Sequence, residues 1–425
     1  MSDDMEVTAL LHHAADRFEA APPPPIETFA ARARRRRSAH GLAAGAAVVI
    51  VVLISLIAAA TTSGGHNTQV ETRPPVGLAP AATVFGSATG DAVVFDDGGN
   101  GVATVDLDTR TVAVQAIVGQ QAGDQPWRLT TSGSDLIVGW GNVYAAPLGG
   151  GPSRLLGAAT VSLPAAEAND VWLATWAGGA IGQGTLSVSE VTTTGRVIVP
   201  PTVPGLGSDV PLVGIPHGLA FQSTQGLMLW DAATNAVTET LGSGEPEAGL
   251  PDGAQLAWCE TDCTVLHVSN LVLDGEMEVS PPAGTTAFQA QTARFSPDGR
   301  YLAVVAVGPR ASSFVVVDTV TGTSRIVADA VAARALVGWA PGGDRLFFAS
   351  QPTSDPGVTL GSFTVANGKT QTAQIPVQLE GNAAMVVVAL SQAHGLLPTF
   401  VRTQEGCMEA ELERVPLGAI CGYRF

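Results

Sequence analysis

Hydrophobic and polar positions divide the chain into one long apolar run near its start and many short alternating runs after it. Residues 41–60 carry no charge and only one hydroxyl group, that of Ser55. A helix rising ~1.5 Å per residue needs about 20 residues to cross the ~30 Å hydrocarbon core of a bilayer. This run predicts a transmembrane helix. A cleaved signal peptide is the alternative, since residues 58–60 are all alanine, but its apolar core is usually ~7–15 residues.

The charges beside residues 41–60 predict the orientation of this helix. Arg32 and the four arginines at 34–37 precede it, whereas Arg73 is the only basic residue in 61–80. Because basic residues are retained on the cytoplasmic side, we expect residues 1–40 to lie in the cytoplasm. Residues 61–80, rich in Gly, Thr and Pro, predict a flexible stalk. Residues 81–425 then form an extracytoplasmic domain.

The cytoplasmic leader, residues 1–40, contains one amphipathic segment. Its apolar residues recur at helical spacing and precede four prolines at 22–25. They are Val7, Leu10, Leu11, Ala14 and Phe18. An isolated helix of ~15 residues is marginal in water, so we expect this face to fold on a cytoplasmic protein partner or on the membrane surface.

Beyond residue 81 the hydrophobic pattern changes to short strands separated by two recurring turns. The clearest unit begins at Phe295, with a Ser-Pro-Asp-Gly turn followed by predicted strands over 301–307, 314–317 and 324–327. The opening recurs at Trp339, before a strand over 346–348. A second turn begins with Asp318 and ends with a Thr-Gly pair.

This second turn marks a repeat along the whole extracytoplasmic part. Its marks lie at Asp106, Pro147, Glu190, Asp231, Asn270, Asp318 and Thr364. Intervals of about 40–50 residues with short strands are typical of a β-propeller. We therefore predict an all-β ectodomain with seven blades. Residues 383–425 are surplus; a strand over 385–390 and others over 399–402 and 410–415 either close the ring or form an eighth blade.

The unit at 295–327 resembles the blade motif of TolB-like and WD-repeat-like bacterial propellers. This resemblance implies the propeller fold for residues 81–425 and no particular activity. The leader, with its Leu-Leu helix, proline spacer, arginine run and single membrane helix, resembles those of membrane proteins associated with sigma factors. That second resemblance implies a sigma factor as cytoplasmic partner and an anti-sigma role. The H-x-x-x-C-x-x-C zinc motif of such proteins is absent from the sequence.

The net charge bears on the partners of the ectodomain, and its cysteines bear on its covalent bonds. The formal net charge is −17, and acids and arginines balance within residues 1–40, so the excess negative charge lies in the ectodomain. Such a surface repels nucleic acid. All four cysteines follow the membrane segment, which favours disulfides in an oxidising compartment. Pairing by proximity gives Cys259–Cys263 and Cys407–Cys421; free thiols and a metal site are the alternatives.

The sequence contains none of the common catalytic, metal-binding or cofactor-binding motifs. There is no G-x-S-x-G, no H-E-x-x-H and no complete phosphate loop; residues 96–101 and 368–370 are interpreted as hairpin turns. His217 precedes a glycine in a loop and is the candidate ligand contact. His267 lies in an alternating strand and is interpreted as a structural, hydrogen-bonded histidine. The seven tryptophans predict a repeated core position.

We therefore expect a membrane-anchored binding or sensing protein, not an enzyme, that recognises a ligand or protein outside the cell and relays to a cytoplasmic partner. No catalytic residue, cofactor or metal is assigned. The alternatives are an extracytoplasmic propeller enzyme acting on glycans and a purely structural envelope protein. A cluster of carboxylates and histidines at one mouth of the ring distinguishes the enzyme from the other two.

Overall fold

The computed structural model describes the propeller part of the chain, with gaps. The described residues are 83–96, 101–116, 129–177, 184–207, 212–241, 243–250, 253–260, 262–272, 275–289, 291–309, 312–330, 335–351, 357–377, 379, 384–397 and 420–424. All belong to one compact unit, Pro75–Phe425. The predicted leader, membrane helix and stalk lie outside the described residues. Within these residues no helix has the length and apolarity needed to span a bilayer.

The described strands form seven antiparallel sheets, numbered here as blades 1 to 7 in ring order. Blade 1 contains β1 (Asp91–Asp96), β2 (Gly101–Asp106), β3 (Thr111–Ala116), β28 (Met385–Ala389) and β29 (Ile420–Arg424). Blade 2 contains β4 (Leu129–Ser132), β5 (Asp135–Pro147) and β6 (Arg154–Ala159). Blade 3 contains β7 (Val161–Pro164), β8 (Asp170–Ala177), β9 (Gly184–Thr192) and β10 (Val197–Gly207). Blade 4 contains β11 (Leu212–Ile215), β12 (Gly218–Ser223), β13 (Gly226–Asp231) and β14 (Ala236–Leu241).

The remaining three blades follow in chain order. Blade 5 contains β15 (Glu245–Gly249), β16 (Gln255–Cys259), β17 (Leu266–Asn270) and β18 (Gly275–Val279). Blade 6 contains β19 (Ala287–Phe288), β20 (Arg294–Phe295), β21 (Tyr301–Val307), β22 (Ser312–Asp318) and β23 (Ser324–Ala330). Blade 7 contains β24 (Ala335–Trp339), β25 (Arg345–Ser350), β26 (Val358–Thr364) and β27 (Lys369–Ile375). A short 3-10 turn, Ala393–Gly395, follows β28.

Strand β5 accounts for two strand positions of blade 2. Its first half pairs with β4 and its second half with β6. The Leu148 N–H donates to the Ser134 carbonyl at 2.9 Å, which closes the chain back on itself. At the bend, a Cβ on Gly139 would lie 2.0 Å from the Asn142 carbonyl oxygen, so only glycine fits. Blade 2 thus follows the same four-strand plan as its neighbours.

The ring is closed by the C-terminal part of the chain. Strand β28 pairs with β1, with Ala92 opposite Val388, and forms the innermost strand of blade 1. The innermost strands contact one another in a cycle: β28 with β4, β4 with β7, β7 with β11, β11 with β15, β15 with β20, β20 with β24, and β24 with β28. Seven blades and closure by the predicted strand at 385–390 are therefore confirmed. The predicted strands at 399–402 and 410–415 lie outside the described residues, and β29 was not predicted.

Among the described residues, the hydrophobic core consists of seven clusters, one at each junction between consecutive blades. Because each sheet packs between two neighbours, strands such as β1 and β2 are buried at every position. Between blades 6 and 7, the rings of Phe314 and Phe348 lie 4.7 Å apart. Each such fully buried side chain contributes ~1.5–3 kcal/mol. A closed ring also protects the innermost sheet edges from pairing with other chains.

The tryptophans belong to this core but do not occupy one repeated position. Trp172, Trp230, Trp258 and Trp339 are all buried. They lie in the second, third, second and first strands of their blades, respectively. The predicted repeat position is wrong, because every junction between blades offers several large apolar sites on different strands. The side chains of the tryptophans at 127 and 140 lie outside the described residues.

The two recurring turns have local hydrogen-bonding causes. The Asp318 carboxylate accepts the N–H groups of Val320 and Thr321 at 2.9 and 3.1 Å. Asp106 makes the equivalent bonds to Asp108 and Thr109. These aspartates therefore cap the turn between the third and fourth strands. The marks that predicted the repeat are structural, and each lies at or near the end of a third strand.

Both recurring turns lie at the same end of the ring. In a sheet of four antiparallel strands, the connections from first to second and from third to fourth strand share one end, defined here as the turn face. The connections from second to third strand lie at the opposite end, the loop face. Gly343 of blade 7 contacts Asp298 of blade 6 through these turns. Much of the loop face, including 97–100, 178–183 and 352–356, lies outside the described residues.

Candidate binding site

His217 lies on the turn face, in the two-residue connection from β11 to β12 of blade 4. It adopts a left-handed backbone conformation, with φ of 62°, and its side chain is exposed. Its carbonyl accepts the Ala232 N–H at 2.9 Å, which ties this connection to the turn after β13. The following Gly218 has no room for a side chain, since a Cβ would lie 1.8 Å from the Trp230 carbonyl oxygen. The turn geometry thus fixes the backbone at His217.

Carboxylates from blades 3 and 4 lie close enough to this histidine to interact with its charge. Burial raises the pKa of Glu190, the negative charges of Asp170 and Glu167 raise it further, and His217 opposes them. Burial and then Glu167 also raise the pKa of Asp170, whereas Arg196 lowers it. Repulsion among three carboxylates, offset by one imidazole and one guanidinium, leaves a region of negative potential. We name these five residues the His217 cluster.

Asp231 borders the cluster but has a structural role. The Thr234 N–H and hydroxyl donate to Asp231 Oδ1 at 2.7 and 2.8 Å. The backbone hydrogen bond from Thr234 is the largest cause that lowers the pKa of Asp231, and His217 adds a smaller effect. Asp231 therefore stays ionised and holds the turn beside His217.

The His217 cluster rests on a rigid aromatic base. Trp172 of blade 3 and Trp230 of blade 4 meet edge to face, with ring centroids 5.8 Å apart and planes at 73°. Glu190 lies opposite Trp172 in the sheet. The Trp230 indole N–H donates to Asn235 Oδ1 at 3.2 Å. The two indoles beneath this part of the turn face are therefore packed and hydrogen-bonded.

A second polar group lies on the innermost strands of blades 5 and 6. Glu247, in β15, is buried and accepts the Gln291 N–H from blade 6. Burial raises its pKa to about 8; the Gln291 bond opposes this, Glu245 adds to it and Arg294 reduces it. Glu245 in turn accepts the Gln222 amide at 3.1 Å. From sequence alone, Glu247 is one of two glutamates in the short segment 245–249, and nothing there signals its burial.

The predicted disulfide Cys259–Cys263 is confirmed, at the loop-face end of blade 5. Glu247 Oε1 lies 3.2 Å from Cys259 Sγ. A disulfide sulfur carries no proton, so the sulfur is not a donor in this contact. A carboxylate oxygen of Glu247 and the two sulfurs are close enough together for metal ligands, but the S–S bond excludes thiolate ligation. Cys407 and the side chain of Cys421 lie outside the described residues, so their pairing stays a prediction.

His267 is hydrogen-bonded, as predicted. Its Nδ1 lies 2.6 Å from Glu276 Oε1, and its ring stacks on Trp258 with centroids 4.0 Å apart. Residues 368–370 begin β27 after a turn with Gly368 at φ of 65°, which confirms the hairpin turn. Residues 97–100 lie outside the described residues, although β1 and β2 on either side pair as a hairpin.

Comparison with known proteins yields structural likeness only. No protein-family model and no curated protein matches the chain. Among solved structures, TolB from Acinetobacter baumannii is 9% identical with a TM-score of 0.43, covering 69% of this chain and 66%, just under two thirds, of its own. A protein from Lactobacillus plantarum is 15% identical with a TM-score of 0.47, and the match covers 70% of this chain and 99% of that protein. The dihydro-heme d1 dehydrogenase NirN is 13% identical with a TM-score of 0.43, and the match covers 77% of this chain and 78% of that protein. The propeller assignment rests on the sheet pairing of this chain itself.

Proposed function

We propose that this chain is a membrane-anchored binding protein whose propeller recognises a basic partner outside the cytoplasm. The observation that supports it is the His217 cluster, in which burial and then repulsion between carboxylates raise the pKa of Glu190 and Asp170. A cationic group from a partner would relieve this repulsion. The overall net charge of −17 would attract such a partner from a distance.

The closed ring supports recognition through its rigidity. Because consecutive blades share apolar clusters at every junction, the turn face moves little when a partner binds. A preorganised surface loses less conformational entropy on binding than a flexible one. The His217 cluster also combines carboxylates with a histidine on one face of the ring, which is the feature expected of the alternative, an enzyme acting on glycans. The proposal is one of binding without catalysis, and turnover of a glycan by the purified protein would therefore overturn it.

The experiment places a photo-crosslinking amino acid at position 217 of the full chain in living cells. We expect a specific adduct with a basic extracytoplasmic protein, identified by mass spectrometry. Position 260 is the control, because Glu260 is an exposed acid on the loop face. Equal adducts from both positions, or none from 217, would contradict the proposal.

With the partner in hand, Glu190→Gln should weaken its binding by up to about fivefold, since exposed ion pairs contribute ~0.2–1 kcal/mol. Glu260→Gln should leave binding unchanged. The affinity should also fall as salt is added, because salt screens such contacts. A salt-independent affinity would argue for an apolar interface elsewhere on the ring.

The proposed anchor and relay rest on sequence features. Residues 41–60 would hold the propeller at the outer surface of the membrane, and the leader would bind a cytoplasmic partner such as a sigma factor. Protease added to intact spheroplasts should then degrade the propeller and spare the leader. Deleting residues 5–20 should leave folding and insertion intact and abolish the regulatory phenotype. A silent deletion would show that the ring acts alone.

A further inference from the structure

We propose that His267, Glu276 and Glu278 form a binding site for a divalent transition-metal ion such as Zn²⁺ on the outer part of blade 5. One ring nitrogen of His267 and one carboxylate oxygen from each glutamate all lie within 4.8 Å of one another. One imidazole and two carboxylates form a mixed donor set that suits Zn²⁺. The two carboxylates neutralise the charge of the ion.

The sheet register places these three side chains on one face. His267 of β17 lies directly opposite Glu278 of β18, and Glu276 lies two residues further along the same strand. Side chains two residues apart point to the same face of a strand. The apolar cluster with blade 6 takes Leu266, Val268 and Val279 from the other face. The three ligand candidates are therefore left on the polar side of the hairpin.

The imidazole is held in position before any ion arrives. Its ring stacks on Trp258 with the planes 10° apart, and the Trp258 indole N–H donates to Ser269 Oγ at 2.9 Å. The His267 side chain is 11% exposed, whereas that of Glu276 is 45% exposed. The His267 ring is thus held in place, whereas the two glutamate side chains are exposed and can change rotamer. Such support of a histidine ligand by surrounding groups is what metal sites require.

The distances allow coordination after a small movement. Zinc bonds to nitrogen or oxygen of ~2.0–2.2 Å place tetrahedral ligand atoms about 3.3–3.6 Å apart. The present Nδ1 to Oε1 distance is 2.6 Å, so Glu276 must move by about 1 Å. An exposed glutamate does this by a change of rotamer. The fourth position would take water, and the ion would brace β18, the outermost strand of the blade.

The test measures binding of Zn²⁺ alone to the full chain, purified in a mild detergent and stripped with EDTA. Calorimetry should find an equivalent of Zn²⁺ whose binding weakens by about tenfold or more in His267→Gln and in Glu278→Gln. The matched control is Glu260→Gln, which should bind as the wild type does. Zn²⁺ affinity unchanged in both ligand variants, or no binding at about 1 mM Zn²⁺, would overturn the proposal.

A second readout uses the stacked indole. Cu²⁺ bound at His267 should quench Trp258 fluorescence, so the quenched fraction should disappear in Trp258→Phe and in His267→Gln. If His267→Gln fails to fold, Glu278→Gln decides the question, because Glu278 is an exposed side chain whose loss leaves the core intact. Quenching that persists in the folded variant would place the ion elsewhere and refute the site.

Discussion

Glu247 predicts an unusual dependence of stability on pH. In the folded ring its pKa rises from the ordinary value of 4.5 to about 8, chiefly because it is buried. The folded state therefore favours the protonated carboxyl group. Its contribution is fully favourable below pH 4.5 and is lost as the pH rises towards 8, since the unfolded chain releases this proton more easily. Through this residue, alkaline pH destabilises the folded protein and acidic pH does not.

The magnitude follows from the two pKa values. Between pH 5 and pH 9, the free energy of unfolding should fall by about 4 kcal/mol through Glu247 alone, and by ~1.4 kcal/mol less for each unit by which its folded pKa is lower. Glu247→Gln keeps an oxygen that can accept the Gln291 N–H and has nearly the same volume. The variant should therefore lose this dependence while all other titrations continue.

Denaturant unfolding of wild type and Glu247→Gln at a series of pH values measures the effect, without reductant so that the disulfide stays intact. The difference between the two curves isolates Glu247, because other acids, such as Asp91 with its pKa raised by burial to about 6, contribute equally to both. Parallel curves between pH 5 and pH 9 would show that water or rearrangement lets Glu247 ionise freely in the folded ring.

Two further predictions concern backbone and covalent constraints. Gly218→Ala should destabilise the ring by roughly 2–4 kcal/mol, because the new methyl group would overlap the Trp230 carbonyl, whereas Gly275→Ala, with open space around it, should be nearly neutral in thermal denaturation. Replacing Cys259 and Cys263 together by alanine should cost about 2 kcal/mol, since the closed loop is short, and unchanged denaturation would show that the bond adds no stability.

The repeat plan could be predicted because its causes are local. The strand predicted at 301–307 matches β21, Tyr301–Val307. Asp318 caps its own turn within three residues, and such short-range hydrogen bonds leave a pattern that sequence preserves. Closure by β28 could be predicted because a strand pattern remained after the last of the seven recurring turns. Without that strand, the ring would expose a sheet edge in blade 1.

The sites could not be predicted, because their environments depend on residues far away in sequence. Glu247 is buried under the Gln291 backbone of the next blade. His267 acquires its stacking partner Trp258 and its acceptor Glu276 from the two neighbouring strands of its blade. The repeat pattern in the sequence does not show which side chains of neighbouring strands and blades come into contact. For His217, sequence indicated an exposed loop position, but the carboxylates around it come from blade 3 and from its own blade.

The backbone at His217 offers a final test of its role. A φ of 62° places a residue with a Cβ in the left-handed region, where glycine is favoured by roughly 1 kcal/mol. If His217 served only the fold, glycine would serve it better. We therefore expect His217→Gly to raise the midpoint of thermal unfolding slightly and to weaken binding of the crosslinked partner. A variant that loses stability instead would show that the imidazole supports the turn, and the strained conformation would then no longer indicate recognition.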